Sequence, residues 1–225
     1  MADIVIKGIT FAATPDKGEV SAILMRPKGA THLLVLGHGA GADMRSASMN
    51  NIAKALAEQR IATFRYNFPF KEHGRGGVDS PKVATATVRA AVAEARRIEP
   101  KLPLLAGGHS FGGRMTTTAQ SESPLDDVKG LALFSFPLHA PNRPDDSRAA
   151  HLSAIKIPML FLSGTRDALN DLDLFRPVIR KLGKSATLHL IDTADHSYKI
   201  LKRTRTSDED VFAEMARVTA AWADP

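Results

Sequence analysis

The segment Leu102-Pro103-Leu104-Leu105-Ala106-Gly107-Gly108-His109-Ser110-Phe111-Gly112-Gly113 sets a serine inside Gly-x-Ser-x-Gly, where an apolar, strand-like run gives way to a small-residue, helix-like one. Few arrangements satisfy such a segment. A strand must end and a helix begin with almost no loop between them, so the serine sits on a sharp turn with a strained backbone. Cβ atoms at Gly108 and Gly112 would collide there with the neighbouring chain. The turn lifts the hydroxyl into a cleft, and the following helix brings its N-terminal N–H groups and partial positive charge beneath any oxyanion on a bound carbonyl. The plain alternative is that Ser110 simply caps the helix that starts at Phe111.

A nucleophilic serine needs a base and an acid that orients the base, and folds with this elbow supply them in the chain order Ser, Asp/Glu, His. Pro158-Met159-Leu160-Phe161-Leu162-Ser163-Gly164-Thr165-Arg166-Asp167 is a buried-type strand running into a loop that ends in Asp167. Thr187-Leu188-His189-Leu190-Ile191-Asp192-Thr193-Ala194-Asp195-His196 is a second strand and loop, ending in His196. Both candidates lie just past the carboxyl end of a strand, where open α/β sheets place their sites. Asp192 and Asp195 are nearer to His196 in sequence, but adjacency along a loop does not aim a carboxylate at an imidazole, so Asp167 is preferred. Asp171 and Asp173 fit the first turn of a helix through Leu174, Val178 and Leu182.

Eight strand-like runs can be read: Asp3 to Thr10, Glu19 to Arg26, His32 to Gly37, Ala62 to Asn67, Leu102 to Gly107, Gly130 to Phe136, Met159 to Ser163 and Thr187 to Ile191. The first two, joined by a turn-rich Thr14 to Gly18, predict an antiparallel start. The rest mostly alternate with helical stripes, such as Met49, Ile52, Ala53, Leu56 and Ala57, or Ala84, Val88, Ala91, Val92, Ala95 and Ile98. That pattern predicts βαβ units, a mainly parallel sheet and helices on both faces. A final helix carries Val211, Phe212, Met215, Val218 and Trp222, with Ser207 to Asp210 read as its capping box. It should pack beside the strand that delivers His196. Pro137 to Pro158 is turn-rich and too short for a lid domain.

With 225 residues and 44% hydrophobic content, one core over residues 1–225 is expected. The absence of cysteine excludes disulfides and a thiol nucleophile. The N-terminus has neither a signal peptide nor a membrane span, so a soluble, cytoplasmic protein is expected. The net charge of +6 is scattered along the chain, which argues against a nucleic-acid partner. Lys199, Lys202, Arg203 and Arg205, which follow His196, read as a solvated loop and helix approach rather than a binding patch, with a bias of the cleft towards anionic substrates as the alternative.

Through His38-Gly39-Ala40-Gly41, Gly108-His109-Ser110-Phe111-Gly112-Gly113-Arg114, Gly164-Thr165-Arg166-Asp167 and Asp195-His196-Ser197, the chain resembles the α/β-hydrolase superfamily over nearly its whole length. It looks like the small lidless members near dienelactone hydrolase and the KANL/Tex hydrolase-like group, with serine where dienelactone hydrolases proper carry cysteine. The resemblance implies an α/β-hydrolase fold and a cofactor-independent, metal-independent serine hydrolase acting on a small or medium ester. The oxyanion hole would pair the N–H of Phe111 with that of Ala40, or of Gly41 if the loop is turned by one residue. His38 and Asp43 would shape that loop through side-chain hydrogen bonds. Phe68, after the fourth strand, and Leu138 and His139, after the sixth, fall near the cleft rim as substrate-pocket walls or as ordinary packing. A monomer or weak homo-oligomer with a small-molecule ester as its only partner is expected.

Two other classes fit parts of the chain. A hydrolase fold can serve as a non-catalytic interaction module, because fold alone does not guarantee chemistry. Gly37 to Ala42 also matches G-x-G-x-x-A of a nicotinamide-dependent oxidoreductase, although the next strand ends in Phe64-Arg65-Tyr66-Asn67, which suits only a 2′-phosphate through Arg65.

Overall fold

The computed structural model describes residues 3–224. Strands β1 (Ile4–Thr14) and β2 (Gly18–Pro27) form a hairpin, and β3 (His32–Gly37) connects through α1 (Ala47–Glu58) to β4 (Ile61–Tyr66). A single turn, α2 (Pro69–Glu72), and the long α3 (Pro81–Ile98) lead to β5 (Leu104–His109), α4 (Phe111–Glu122) and β6 (Val128–Phe134). A 3₁₀ segment, Ser147–Ala154, precedes β7 (Met159–Gly164), α5 (Leu172–Leu182), β8 (Ala186–Ile191) and α6 (Val211–Ala223).

The eight strands make one sheet in the order β1-β2-β4-β3-β5-β6-β7-β8. β2 runs antiparallel to both its neighbours and every other pair is parallel. This is the α/β-hydrolase fold without a lid domain. Strands β3, β4, β5 and β7 are buried at every residue, because helices cover both faces, and so they read as continuous apolar runs. On one face Phe64, Val88, Met115, Leu133 and Phe175 bring α3, α4 and α5 onto the sheet. On the other Leu34, Met49, Ile52, Leu160 and Met215 do the same for α1 and α6. The strand order reverses at β3, so the loops leaving β3 and β5 diverge and open a crevice at the carboxyl edge.

Two local readings differ. β1 continues to Thr14 rather than ending at Thr10, because Phe11 and Ala13 point inward and the pairing runs on through Phe11 with Val20 and Ala12 with Glu19 to Thr14 with Gly18, past an irregularity at Ala13. The cap of α6 is Asp210, not Ser207: the Asp210 carboxylate accepts the N–H groups of Phe212 and Ala213, while Ser207 Oγ accepts that of Glu209 in the preceding turn. Asp210→Ala should therefore lower stability by about 1 kcal/mol. Ser207→Ala should change it by no more than a few tenths on the same scale, as compared by urea-unfolding midpoints.

Candidate active site

The elbow is built by close backbone packing. A Cβ on Gly112 would stand 2.3 Å from the Gly37 carbonyl oxygen, and one on Gly108 would stand 2.6 Å from that same oxygen. Only glycine at both positions lets α4 dock this tightly against β3. Ser110 between them adopts φ 51 and ψ −113, a left-handed backbone that an L-residue takes only when its surroundings impose it. Its N–H donates to the Phe134 carbonyl of β6 at 2.9 Å, which holds the turn.

The three side chains from distant strand ends converge. His196 Nε2 lies 2.8 Å from Ser110 Oγ, and His196 Nδ1 lies 2.9 and 2.8 Å from the two carboxylate oxygens of Asp167. A carboxylate only accepts, so Nδ1 carries the proton and Nε2 offers its lone pair to the serine hydroxyl. The Asp167 side chain is fully buried and that of His196 is 22% exposed, so the carboxylate is shielded from water while the imidazole reaches it. Asp167 Oδ1 also accepts the N–H of Leu169 at 2.8 Å, which fixes the carboxylate plane. Asp195 instead folds its own loop by accepting from Ser197 and Lys199, and Asp192 accepts from Thr206.

The loop after β3 passes beside Ser110: a Cβ on Gly39 would lie 3.6 Å from Ser110 Cβ. Ala40 and Gly41, the next residues, are exposed, and no described group accepts their N–H donors. Phe111 is the first residue of α4, so its N–H has no intrahelical partner. His38 holds this loop in shape. Its Nε2 accepts the Phe68 N–H at 3.1 Å, so Nδ1 carries the proton and donates to the Gly39 carbonyl at 2.8 Å. Asp43 accepts from the Arg45 N–H.

The three residues expected as pocket walls or as ordinary packing are buried. Phe68 and Leu138 are fully buried, Phe68 within an aromatic group with His38, Tyr66 and Phe111. His139 is nearly so, its two ring nitrogens engaged by the Ala140 carbonyl and the Asp171 N–H. Phe68 and Leu138 belong to the hydrophobic core, while His139 also lines a shallow surface pocket with Thr165, Arg166 and Asp167. Arg65 is buried on β4, where it donates to the Met44 carbonyl and to Asn50, so it is not free to meet a 2′-phosphate. Arg205 is also buried rather than solvated, paired with Glu214 of α6. Among the described residues no group of three or more His, Cys, Asp or Glu is placed to hold a metal ion.

Two further residues brace the site. His109 Nε2 donates to the His196 carbonyl at 3.1 Å, tying the base-bearing loop to the elbow. Tyr198, at φ 63, sends its hydroxyl to the Leu162 carbonyl at 2.9 Å and packs its ring against His109. An aromatic two residues past the histidine in a polar loop is the only hint the chain offers.

With this geometry in place, comparison with known proteins identifies the class. The chain belongs to the alpha/beta hydrolase domain family, whose model matches residues 30–224. Among solved structures it is similar to dienelactone hydrolase from Anabaena variabilis, with a TM-score of 0.75 at 17% identity over 97% of this chain and 96% of that one. It is also similar to an α/β serine hydrolase without lid from Xanthomonas campestris, with TM-score 0.73, 19% identity and coverage of 96% and 94%. The esterase domain of a Rhodothermus marinus protein gives TM-score 0.72, 19% identity and coverage of 97% and 98%. Among the described residues no helix is long and apolar enough to cross a membrane.

Burial lowers the pKa of both His38 and His109 from 6.5 to about 4, more than their backbone carbonyl partners raise it. Unfolded, each imidazole takes up a proton below about pH 6.5. The unfolded state therefore binds more protons between pH 6.5 and 4. The stability contribution of these neutral rings is complete above pH 6.5 and falls away as pH drops towards 4. Urea unfolding measured from pH 7 to 4 should show a loss on the order of 3 kcal/mol per imidazole, with a shallower slope in His38→Asn.

Proposed function

We propose that this protein is a serine hydrolase that cleaves a small or medium carboxylic ester through an acyl-enzyme on Ser110. The observation that carries the reading is the unbroken hydrogen-bonded chain from Ser110 Oγ through His196 to Asp167. In the cycle, Ser110 Oγ attacks the ester carbonyl carbon while His196 Nε2 takes its proton. Asp167 stabilises the imidazolium and keeps the ring aimed. Negative charge moves onto the carbonyl oxygen, which the N–H groups of Phe111 and Ala40 receive, with Gly41 as the neighbouring donor. The tetrahedral species collapses, His196 returns the proton to the leaving alcohol, and water repeats the sequence to free the acid. Every group the cycle uses belongs to the chain, so it calls for no cofactor.

The comparisons support this reading by placing esterases and serine hydrolases among the structural neighbours. The inert-module alternative has no observation in its favour: a scaffold without chemistry has no need to align a hydroxyl, an imidazole and a buried carboxylate.

A fluorophosphonate probe should label the wild type on Ser110 and leave Ser110→Ala unlabelled. On a p-nitrophenyl ester chain-length series, Ser110→Ala and His196→Ala should each lose about 10⁴-fold or more in kcat, with Asp167→Ala losing less. Near-full esterase activity in Ser110→Ala would refute the assignment.

A further inference from the structure

Arg114 lies one helical turn beyond the nucleophile, its N–H bonded to the Ser110 carbonyl at 3.0 Å. Side chains on a helix lean towards its N-terminus, so the Arg114 guanidinium is directed back to the cleft end of α4. It is partly buried, yet it makes no hydrogen bond or ion pair among the described residues. Every other arginine that is not fully exposed has an acceptor: Arg26, Arg65, Arg89, Arg96, Arg148 and Arg205. None of its nitrogens is closed off from solvent without a partner, so the permanent charge stays open to a ligand.

Its neighbours make the local field more positive. The 3₁₀ segment Ser147–Ala154 packs along α4, and one hydrogen-bonded chain sets their register. His151 Nε2 donates to Thr117 Oγ1 at 2.8 Å, and Thr117 donates to the Arg114 carbonyl at 2.8 Å. One turn before His151, Arg148 donates to the His139 carbonyl at 2.7 Å, in the loop that leaves β6 beside the elbow. Burial first, and then repulsion from Arg148, lowers the Arg114 pKa; burial and Arg114 in turn lower that of His151. Asp145 lies near enough to feel Arg148, but it accepts from Ser147 N and Oγ and pairs with neither arginine. Arg114 and Arg148 thus stand close together, and among the described residues no carboxylate forms an ion pair with either.

We propose that Arg114 and Arg148 form a subsite for a carboxylate on the substrate, so that the ester presented to Ser110 is itself an anion. This names the substrate class for the reading above and rests on Ser110 as the nucleophile. Arg148, already anchored to His139, supplies a fixed charge, and Arg114 has its whole donor set free for a bidentate contact.

The test compares 4-nitrophenyl hydrogen glutarate with 4-nitrophenyl pentanoate, which share an acyl chain length and differ in the terminal carboxylate. The ratio of their kcat/KM values cancels any general loss in a variant. In wild type the ratio should favour the glutarate by about tenfold or more at low salt and shrink as salt is added. It should fall towards unity in Arg114→Gln and in Arg148→Gln, and stay in place in Arg203→Gln, a control for overall charge on an exposed arginine. A wild-type ratio near unity overturns the subsite, as does an equal fall in Arg203→Gln. If neither ester is turned over, the esterase reading has failed, and calorimetric titration with glutarate decides the subsite by itself. Binding to wild type that is lost in Arg114→Gln sustains it, and absence of binding overturns it.

Discussion

The molecule depends on one backbone-to-backbone approach, that of Gly37 at the end of β3 to Gly108 and Gly112 on either side of Ser110. With a Cβ on Gly112 only 2.3 Å from the Gly37 carbonyl, no side chain can stand between strand and helix. The helix consequently starts at the sheet edge, and Ser110 has to absorb the change of direction at φ 51. Such a backbone costs of the order of 1–3 kcal/mol and persists because packing around it leaves no other path. Here the packing is Met115 and Phe111 in the core of one face and the Ser110 N–H on the Phe134 carbonyl. β6 ends in the same manner: Ser135 follows it at φ 50 and donates its N–H to the Leu162 carbonyl of β7. Adjacent parallel strands thus close by one device, each capped by its neighbour.

Asp167 and His196 form a second rigid unit. The loop after β7 and the loop after β8 exchange hydrogen bonds: Thr165 N–H to the Ile191 carbonyl, Arg166 N–H to the Ala194 carbonyl, and Thr193 N–H to Thr165 Oγ1. Gly164 lets them touch, since a Cβ there would stand 2.3 Å from the Ala194 oxygen. Asp167 and His196 therefore keep their mutual geometry through the backbone as well as through their own contact. What registers this unit against the elbow, besides the Ser110 hydroxyl, is His109, whose ring hydrogen-bonds the His196 carbonyl.

The parts legible in the chain are those where one local rule decides. Strands covered on both faces show as unbroken apolar runs, helix stripes show as 3.6-residue periods, and Ser110, Asp167 and His196 each follow a strand by a short loop. Legibility fails where two local rules agree and tertiary position chooses between them. Ser207 and Asp210 are both good caps, and α6 starts at the second because the approaching chain is tied down at Thr206 by Asp192. Phe68 and Leu138 could face the cleft or the core from a strand end, and the core on the α3 and α4 side takes both. Arg205 reads as one of a run of surface cations, yet Glu214, facing it from α6 and also bound to His189, draws it inward.

The loop that carries Ala40 shows how buried polar groups become a preorganised site. Its two ends are pinned to the carboxyl end of β4 by three separate bonds. His38 Nε2 accepts from Phe68 N–H, Asn67 Oδ1 accepts from Met44 N–H, and Arg65 donates to the Met44 carbonyl. Arg65 remains a cation there even though burial lowers its pKa to about 10, and the carbonyl and the Asn50 amide oxygen offset part of its desolvation. Between the pinned ends, Ala40 and Gly41 are the exposed stretch, with N–H groups that no described residue takes up. Donors held in place before any oxyanion arrives need no reorganisation when charge develops, which is the condition under which such groups lower a barrier most. A buried arginine and a neutral imidazole thus set where the loop carrying Ala40 lies.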